Sequence, residues 1–157
     1  MSGATPFQVR TELVNLSVTV EDGAVTAIHL HGRASRPPQS ELQRQVAREL
    51  VEFARGERRS FTFAVRLVGT PFERRCWAAL QHIPYGETRT YGQIAREVGN
   101  PHGARAVGGA NHRNPIPIVV PCHRVVAAGG RLGGYGGGLE LKRKLLTLEG
   151  RSGPALP

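Results

Sequence analysis

The 157-residue sequence has little cysteine and little lysine: two cysteines, and two lysines among 21 basic side chains. Two cysteines cannot build a disulfide framework, so a reducing, cytoplasmic setting is expected. No CxxC or HxxxH pair occurs, Cys76 and Cys122 stand 46 residues apart, and the carboxylates form no cluster. No zinc or magnesium site follows from such spacing, and neither a metal nor a cofactor is expected. No run approaches the roughly 20 apolar residues of a membrane span. The start, MSGATPFQVRTELV, lacks the basic stretch and apolar run of a secretory signal, so no membrane partner is expected. Seven glycines fall between positions 129 and 138, yet there is no GxxxxGK[ST] and no GxGxxG between a strand and a helix, so a nucleotide-phosphate loop is excluded.

What is present is basic charge, unevenly spread. The net charge is +9. Residues 1–66 carry only +2 of it and residues 67–157 carry +7. A basic C-terminal half suits a polyanion, with nucleic acid the leading candidate. Nineteen of the basic residues are arginine, and a GC-rich genome would produce the same excess, so charge alone leaves the point open. The length allows one domain or two small ones.

The N-terminal part reads as strands followed by a helix. Val14–Val20 alternates apolar and polar residues, Glu21-Asp22-Gly23 supplies a turn, and Ala24–Leu30 resumes the alternation, which predicts a hairpin. Ser40, with Gln43 at the capping-box position, opens a helix carrying Leu42, Val46, Leu50, Val51 and Phe53. Phe61–Val68 is expected to be a further strand. Nothing catalytic stands out here, and His29 and His31 read as tolerated strand residues.

Gly69-Thr70-Pro71 marks a boundary. Thr70 caps a helix with Pro71 at its first position and Glu73 in its first turn, and Phe72, Cys76, Ala79 and Leu80 are expected on its inner face. Thr90 caps a short helix from Tyr91 to Val98, closed by Gly99. A third helix runs from near Gly103 to about Arg113. Helix, glycine turn, helix is the helix-turn-helix pattern. The small residues Ala104, Ala106, Gly108, Gly109 and Ala110 let this helix approach a partner closely, or let it pack tightly in a core. Ile116–Val120 reads as a proline-pinned apolar strand that delivers Pro121-Cys122-His123-Arg124. Leu141, Leu145, Leu146 and Leu148 mark a last helix, ending at Glu149-Gly150.

Cysteine is the strongest uncharged side-chain nucleophile, reactive as thiolate. Cys122 has His123 as its neighbour and Arg124 beside it. A histidine that takes the thiol proton, directly or through water, needs an orienting group, for which Glu149 is the candidate. A buried structural cysteine beside an incidental histidine fits the same residues. Cys76, on an apolar helix face, reads as structural.

The run Asn114-Pro-Ile-Pro-Ile-Val-Val-Pro-Cys-His-Arg-Val-Val126 resembles the active-site signature of O6-alkylguanine-DNA alkyltransferases. So do Ile83–Tyr91, Arg105–Ala110, Gly134–Leu139 and Leu145–Gly150, in unbroken order over about residues 67–150. The resemblance implies an α/β (α+β) fold: a ribonuclease H-like N-terminal domain, 1–66, then a mostly helical C-terminal domain, 67–157, with a DNA-binding helix-turn-helix. It implies that Cys122 takes the alkyl group of an extruded O6-alkylguanine once and irreversibly, with O4-methylthymine a second substrate. By the same resemblance, His123 bridges by water to Cys122 and is oriented by Glu149. Tyr91 donates a proton to the leaving guanine, and Asn114 ties the segment together. Arg105 fills the gap in the base stack, and Tyr91, Gly92 and Asn100 join it in contacting DNA in the minor groove. The carbonyl of Val125 reads the guanine amino group, and Tyr135 and Gly136 line the pocket. The implied partner is duplex DNA carrying O6-alkylguanine, bound by a monomer, with cooperative binding along DNA left open. Asn111-His112 lies at the variable end of the recognition helix, and its effect on DNA contacts is left open. Two competing readings are a non-catalytic helix-turn-helix protein, which would leave Cys122 unmodified, and a cysteine hydrolase or redox enzyme, which would turn over small substrates without DNA.

Overall fold

The computed structural model describes residues 4–150. The described chain divides between Leu67 and Val68 into two compact units. Together they make an α+β protein.

The first unit is an antiparallel meander. Strands β1 (Phe7–Arg10), β2 (Asn15–Glu21) and β3 (Ala24–Leu30) pair in sequence order, with Phe7 opposite Val18 and Val18 opposite Ile28. The expected Glu21–Gly23 turn joins β2 to β3, and Gly23 takes the positive φ, 79°, that a tight turn demands. Phe7, Val9, Leu16, Val18 and Ile28 are buried. The helix α1 (Glu41–Ala54) buries Val46, Leu50 and Phe53. Ser40 caps it by accepting from the Gln43 N–H, but the Gln43 side chain reaches back to the Gln39 N–H at 2.7 Å rather than to Ser40, so the capping box is not closed. The strand expected over Phe61–Val68 does not form. Only Val65 bridges, to Val25, because the Thr62 N–H is taken by the Glu49 carboxylate at 2.8 Å. Aromatic contact fixes this stretch instead, with the Phe53 and Phe61 rings 5.2 Å apart.

The second unit is mostly helical. Helix α2 (Pro71–Gln81) opens with a complete capping box: Glu73 N–H donates to Thr70 Oγ1 at 3.1 Å, and Thr70 N–H donates to Glu73 Oε1 at 2.9 Å. Its inner face is Cys76, Trp77, Ala79 and Leu80. Phe72, expected there, is only half-buried and lies under the Arg75 guanidinium, while Trp77 takes the core position. Trp77 Nε1 donates to the Ala110 carbonyl at 2.9 Å, which fastens α2 to α4 (Ala104–His112). Helix α3 (Tyr91–Glu97) follows the two-residue strand β4 (Arg89–Thr90) and is capped by Thr90 and Gln93 as a second capping box. Gly99 turns the chain at φ 83°, and α3 and α4 pack on each other as the helix-turn-helix. The segment before Cys122 is not the expected strand. Its prolines at 115, 117 and 121 carry no N–H, a single bridge joins Pro117 to Val120, and Ile118 is held at φ 74°. Ile116 and Val120 are nonetheless fully buried. A short 3-10 turn (Cys122–Arg124) leads into β5 (Val125–Val126), parallel to β4, and the chain ends in α5 (Leu139–Glu149).

Candidate active site

Cys122 stands on the 3-10 turn directly after the buried proline-rich segment. Asn114 fixes that segment: its Nδ2 donates to the Val120 carbonyl at 2.8 Å and its Oδ1 accepts from the Ile116 N–H at 2.9 Å. A loop poor in N–H donors cannot hold itself with a ladder, and one amide supplies the missing bonds. Burial pushes the Cys122 thiol above its ordinary value; a hydrogen bond with Asn114 and the charge of Lys142 pull the other way.

His123 and Arg124 converge on the end of α5. His123 Nε2 lies 2.7 Å from Glu149 Oε2, and Arg124 reaches both carboxylate oxygens, at 2.8 and 3.0 Å, and the Ile83 carbonyl at 2.7 Å. His123 has no exposed surface and Glu149 is 3 % exposed. Burial alone would raise the Glu149 carboxyl, but its bonds to His123 and Arg124 outweigh that and bring it to about 2. It is an anion at any working pH. Burial lowers the His123 imidazole more than Glu149 raises it, so the ring is neutral. With an anion at Nε2, that nitrogen carries the hydrogen. Nδ1 is left as a lone pair, buried and without a partner among the described residues.

A cavity of about 270 Å³ opens beside the thiol, lined by Tyr91, Gly108, Asn111, Cys122, Tyr135 and Gly136, together with His112 and Gly134. Burial raises the Tyr91 hydroxyl above its ordinary value, so it is a proton donor at neutral pH. Tyr135 is raised further by burial, and its hydroxyl has no partner among the described residues. Gly133, at φ 71°, leaves room for Tyr91: a Cβ there would sit 2.9 Å from the phenol oxygen.

Of the residues singled out from sequence, the structure brings Cys122, His123, Glu149, Asn114, Tyr91, Tyr135 and Gly136 to one place. Arg105 and Asn100 lie elsewhere, exposed on α4 and the turn before it, and Gly92 is in the first turn of α3. Val125 is fully buried and is not part of the cavity wall. Gly108, one of the small residues of α4, does face the cavity. Lys142 was missed. It has no exposed surface, and its Nζ donates to the carbonyls of Val125 at 2.7 Å, Gly134 at 3.0 Å and Leu132. Its neighbours in the helical pattern, Leu141, Leu145 and Leu146, are the signal that could have placed it inward.

Known proteins share both the sequence and the fold. The sequence model of the family described as "6-O-methylguanine DNA methyltransferase, DNA binding domain" matches residues 71–151. A methylated-DNA–protein-cysteine methyltransferase of Methanosarcina acetivorans is 54 % identical over 110 residues, 70 % of each chain. One of Mycolicibacterium paratuberculosis is 57 % identical over 107 residues, 68 % of this chain and 65 % of its own. The crystal structure of Mycobacterium tuberculosis O6-methylguanine methyltransferase superposes with a TM-score of 0.85 at 39 % identity, covering 97 % of this chain and 96 % of the other. The chain belongs to the methylated-DNA–protein-cysteine methyltransferase family.

Proposed function

We propose that the protein repairs O6-alkylguanine in duplex DNA by moving the alkyl group onto Cys122 Sγ. The observation that carries this reading is the Cys122 thiol at the wall of a cavity roomy enough for a purine, on the same turn as the buried His123–Glu149–Arg124 network. A neutral imidazole with a free Nδ1 suits removal of the thiol proton, directly or through a water, and the Glu149 anion stabilises the imidazolium that forms. The sulfur attacks the alkyl carbon, the S–C bond forms and the C–O6 bond breaks. Tyr91, still protonated, hands a proton to the departing guanine and is reprotonated at the expense of the original thiol proton. To release the alkyl group the neutral thioether would have to expel Cys122 sulfur as a thiolate, a poor leaving group from an unactivated alkyl carbon, so each molecule acts once. O4-methylthymine presents the same alkyl–oxygen bond and is the second substrate.

Duplex DNA is the partner. A Mycobacterium tuberculosis relative, 40 % identical with a TM-score of 0.85, has been solved in complex with DNA. The α3–α4 pair is the contact element: Arg105 is exposed for insertion into the vacated stack, and Tyr91, Gly92 and Asn100 flank it, in the minor groove. Catalysis and DNA contact belong to the unit that begins at Val68, and the protein works as a monomer in the cytoplasm without metal or cofactor. No helix of the described residues is long and apolar enough to cross a membrane. Cys122→Ala tests the reading: binding to methylated duplex is expected to persist while transfer is lost, and stoichiometric methyl transfer by that variant overturns it.

A further inference from the structure

Lys142 is the buried cation that the transfer scheme does not use. Among the described residues, each of the other charged buried side chains has a partner of opposite sign: Arg124 with Glu149, Glu49 with Arg58, Glu73 with Arg113. Lys142 has none. Its three donors go to three backbone carbonyls, of Val125, Leu132 and Gly134, which saturates the ammonium with dipoles and leaves its full charge uncancelled. An ammonium buried at such cost is kept where it has something to hold.

Two things are held. Leu132 and Gly134 belong to the glycine-rich segment whose Gly134, Tyr135 and Gly136 form one wall of the cavity. That segment has positive-φ glycines at 129, 130, 133 and 138, and little of its own structure to fix it. Val125 follows the nucleophile's turn directly. A single Nζ therefore ties the wall that faces the base to the strand that leaves the nucleophile. The ammonium also acts on the thiol: it lowers Cys122 and stands 5.9 Å from the Tyr91 ring centre. When Cys122 ionises, the charge of Lys142 finds its counter-ion.

We propose that Lys142 is a positioning residue for the transfer reaction: it clamps the glycine-rich wall to the Cys122 turn and supplies the positive charge against which the thiolate forms. The proposal rests on Cys122 as acceptor. Desolvation brings the Lys142 ammonium down to about 8, with the Cys122 charge opposing, so the clamp is charged at neutral pH and loses its proton not far above it. The titratable groups that act on it or that it acts on are Cys122 and His123 from the 3-10 turn and Tyr91 from α3.

The test compares wild type with Lys142→Met, Lys142→Gln and Lys142→Arg in three measurements. These are single-turnover methyl transfer from an O6-methylguanine duplex, affinity for undamaged duplex, and the pH dependence of Cys122 alkylation by iodoacetamide without DNA. The neutral variants are expected to transfer at least about tenfold more slowly at pH 7.5, with affinity for undamaged DNA within about twofold, from the loss of a charge-assisted bond. Their Cys122 alkylation profile should move to higher pH, and Lys142→Arg should restore the profile because it restores the charge. If the neutral variants keep the wild-type alkylation profile, or if Lys142→Arg behaves like Lys142→Met, the charge has no part and the proposal fails. Should Lys142→Met not fold, Lys142→Gln, which keeps two donors, and Lys142→Arg carry the same comparison. Failure of the Cys122 reading looks different: wild type itself would gain no mass on Cys122 from methylated duplex.

Discussion

Glu149→Gln is the substitution whose cost can be worked from the geometry. The carboxylate accepts from Arg124 through both oxygens and meets His123 Nε2 at 2.7 Å, at 3 % exposure. Its position at about 2, against an ordinary 4.5, corresponds to about 3 kcal/mol of stability at neutral pH. An amide of the same shape keeps the volume but leaves the Arg124 guanidinium, 7 % exposed, without an anion. Breaking a buried pair in this way costs about 3–5 kcal/mol, so the two routes agree. The pH dependence has a definite sign. Because the carboxyl is lower in the folded protein than in the unfolded chain, the stability it adds is complete above about 4.5 and is lost as pH falls towards about 2. His123, lowered from 6.5 by burial, acts in the same direction but begins earlier, below 6.5. Urea unfolding of wild type and Glu149→Gln at pH 7, 5 and 3 separates them. The variant should be about 3 kcal/mol less stable at pH 7 and should lose less on going from pH 5 to 3 than wild type does. A loss under 1 kcal/mol at pH 7, or parallel acid profiles, would refute the assignment of a buried carboxylate anion.

Two further outcomes follow from the site. Tyr91→Phe removes the hydroxyl that the cavity keeps protonated, and single-turnover transfer should slow by about 100-fold, at the lower end of general-acid effects, with little change in DNA affinity; an unchanged rate would mean another group protonates the guanine. Arg105→Ala removes an exposed side chain of α4 and should leave folding intact, while slowing transfer from duplex DNA more than it weakens binding to undamaged duplex. Equal losses on the two measures would make Arg105 an ordinary phosphate contact.

The helices were legible because their ends are written in local chemistry. Thr70 and Thr90 cap their helices as expected, and each also closes a capping box with the residue three positions on, whereas the box expected of Ser40 and Gln43 stays open. The site was legible for a different reason: Cys122 and His123 are adjacent, and Glu149 lies one residue before the Gly150 that ends α5, so only one long-range contact had to be supplied. Extended segments were less readable. Phe61–Val68 has the composition of a strand, but whether a strand forms depends on what its N–H groups meet, and the Thr62 N–H meets a side chain of α1. At Ile116–Val120 the apolar pattern outweighed the prolines in the reading, although missing N–H groups forbid a ladder there. Lys142 escaped because a lysine on an amphipathic helix is ordinarily solvated, and only three backbone carbonyls 8 to 17 residues away, one on β5 and two in the glycine-rich loop, make it an interior residue.

The central claim, that Cys122 sulfur is the permanent acceptor of the alkyl group, is tested most directly by intact-mass spectrometry with peptide mapping after incubation with excess O6-methylguanine duplex in reducing buffer. The account predicts a gain of a single methyl group per protein molecule, located on Cys122, with no further gain on longer incubation. An unmodified protein, or a methyl group on Cys76, would contradict it.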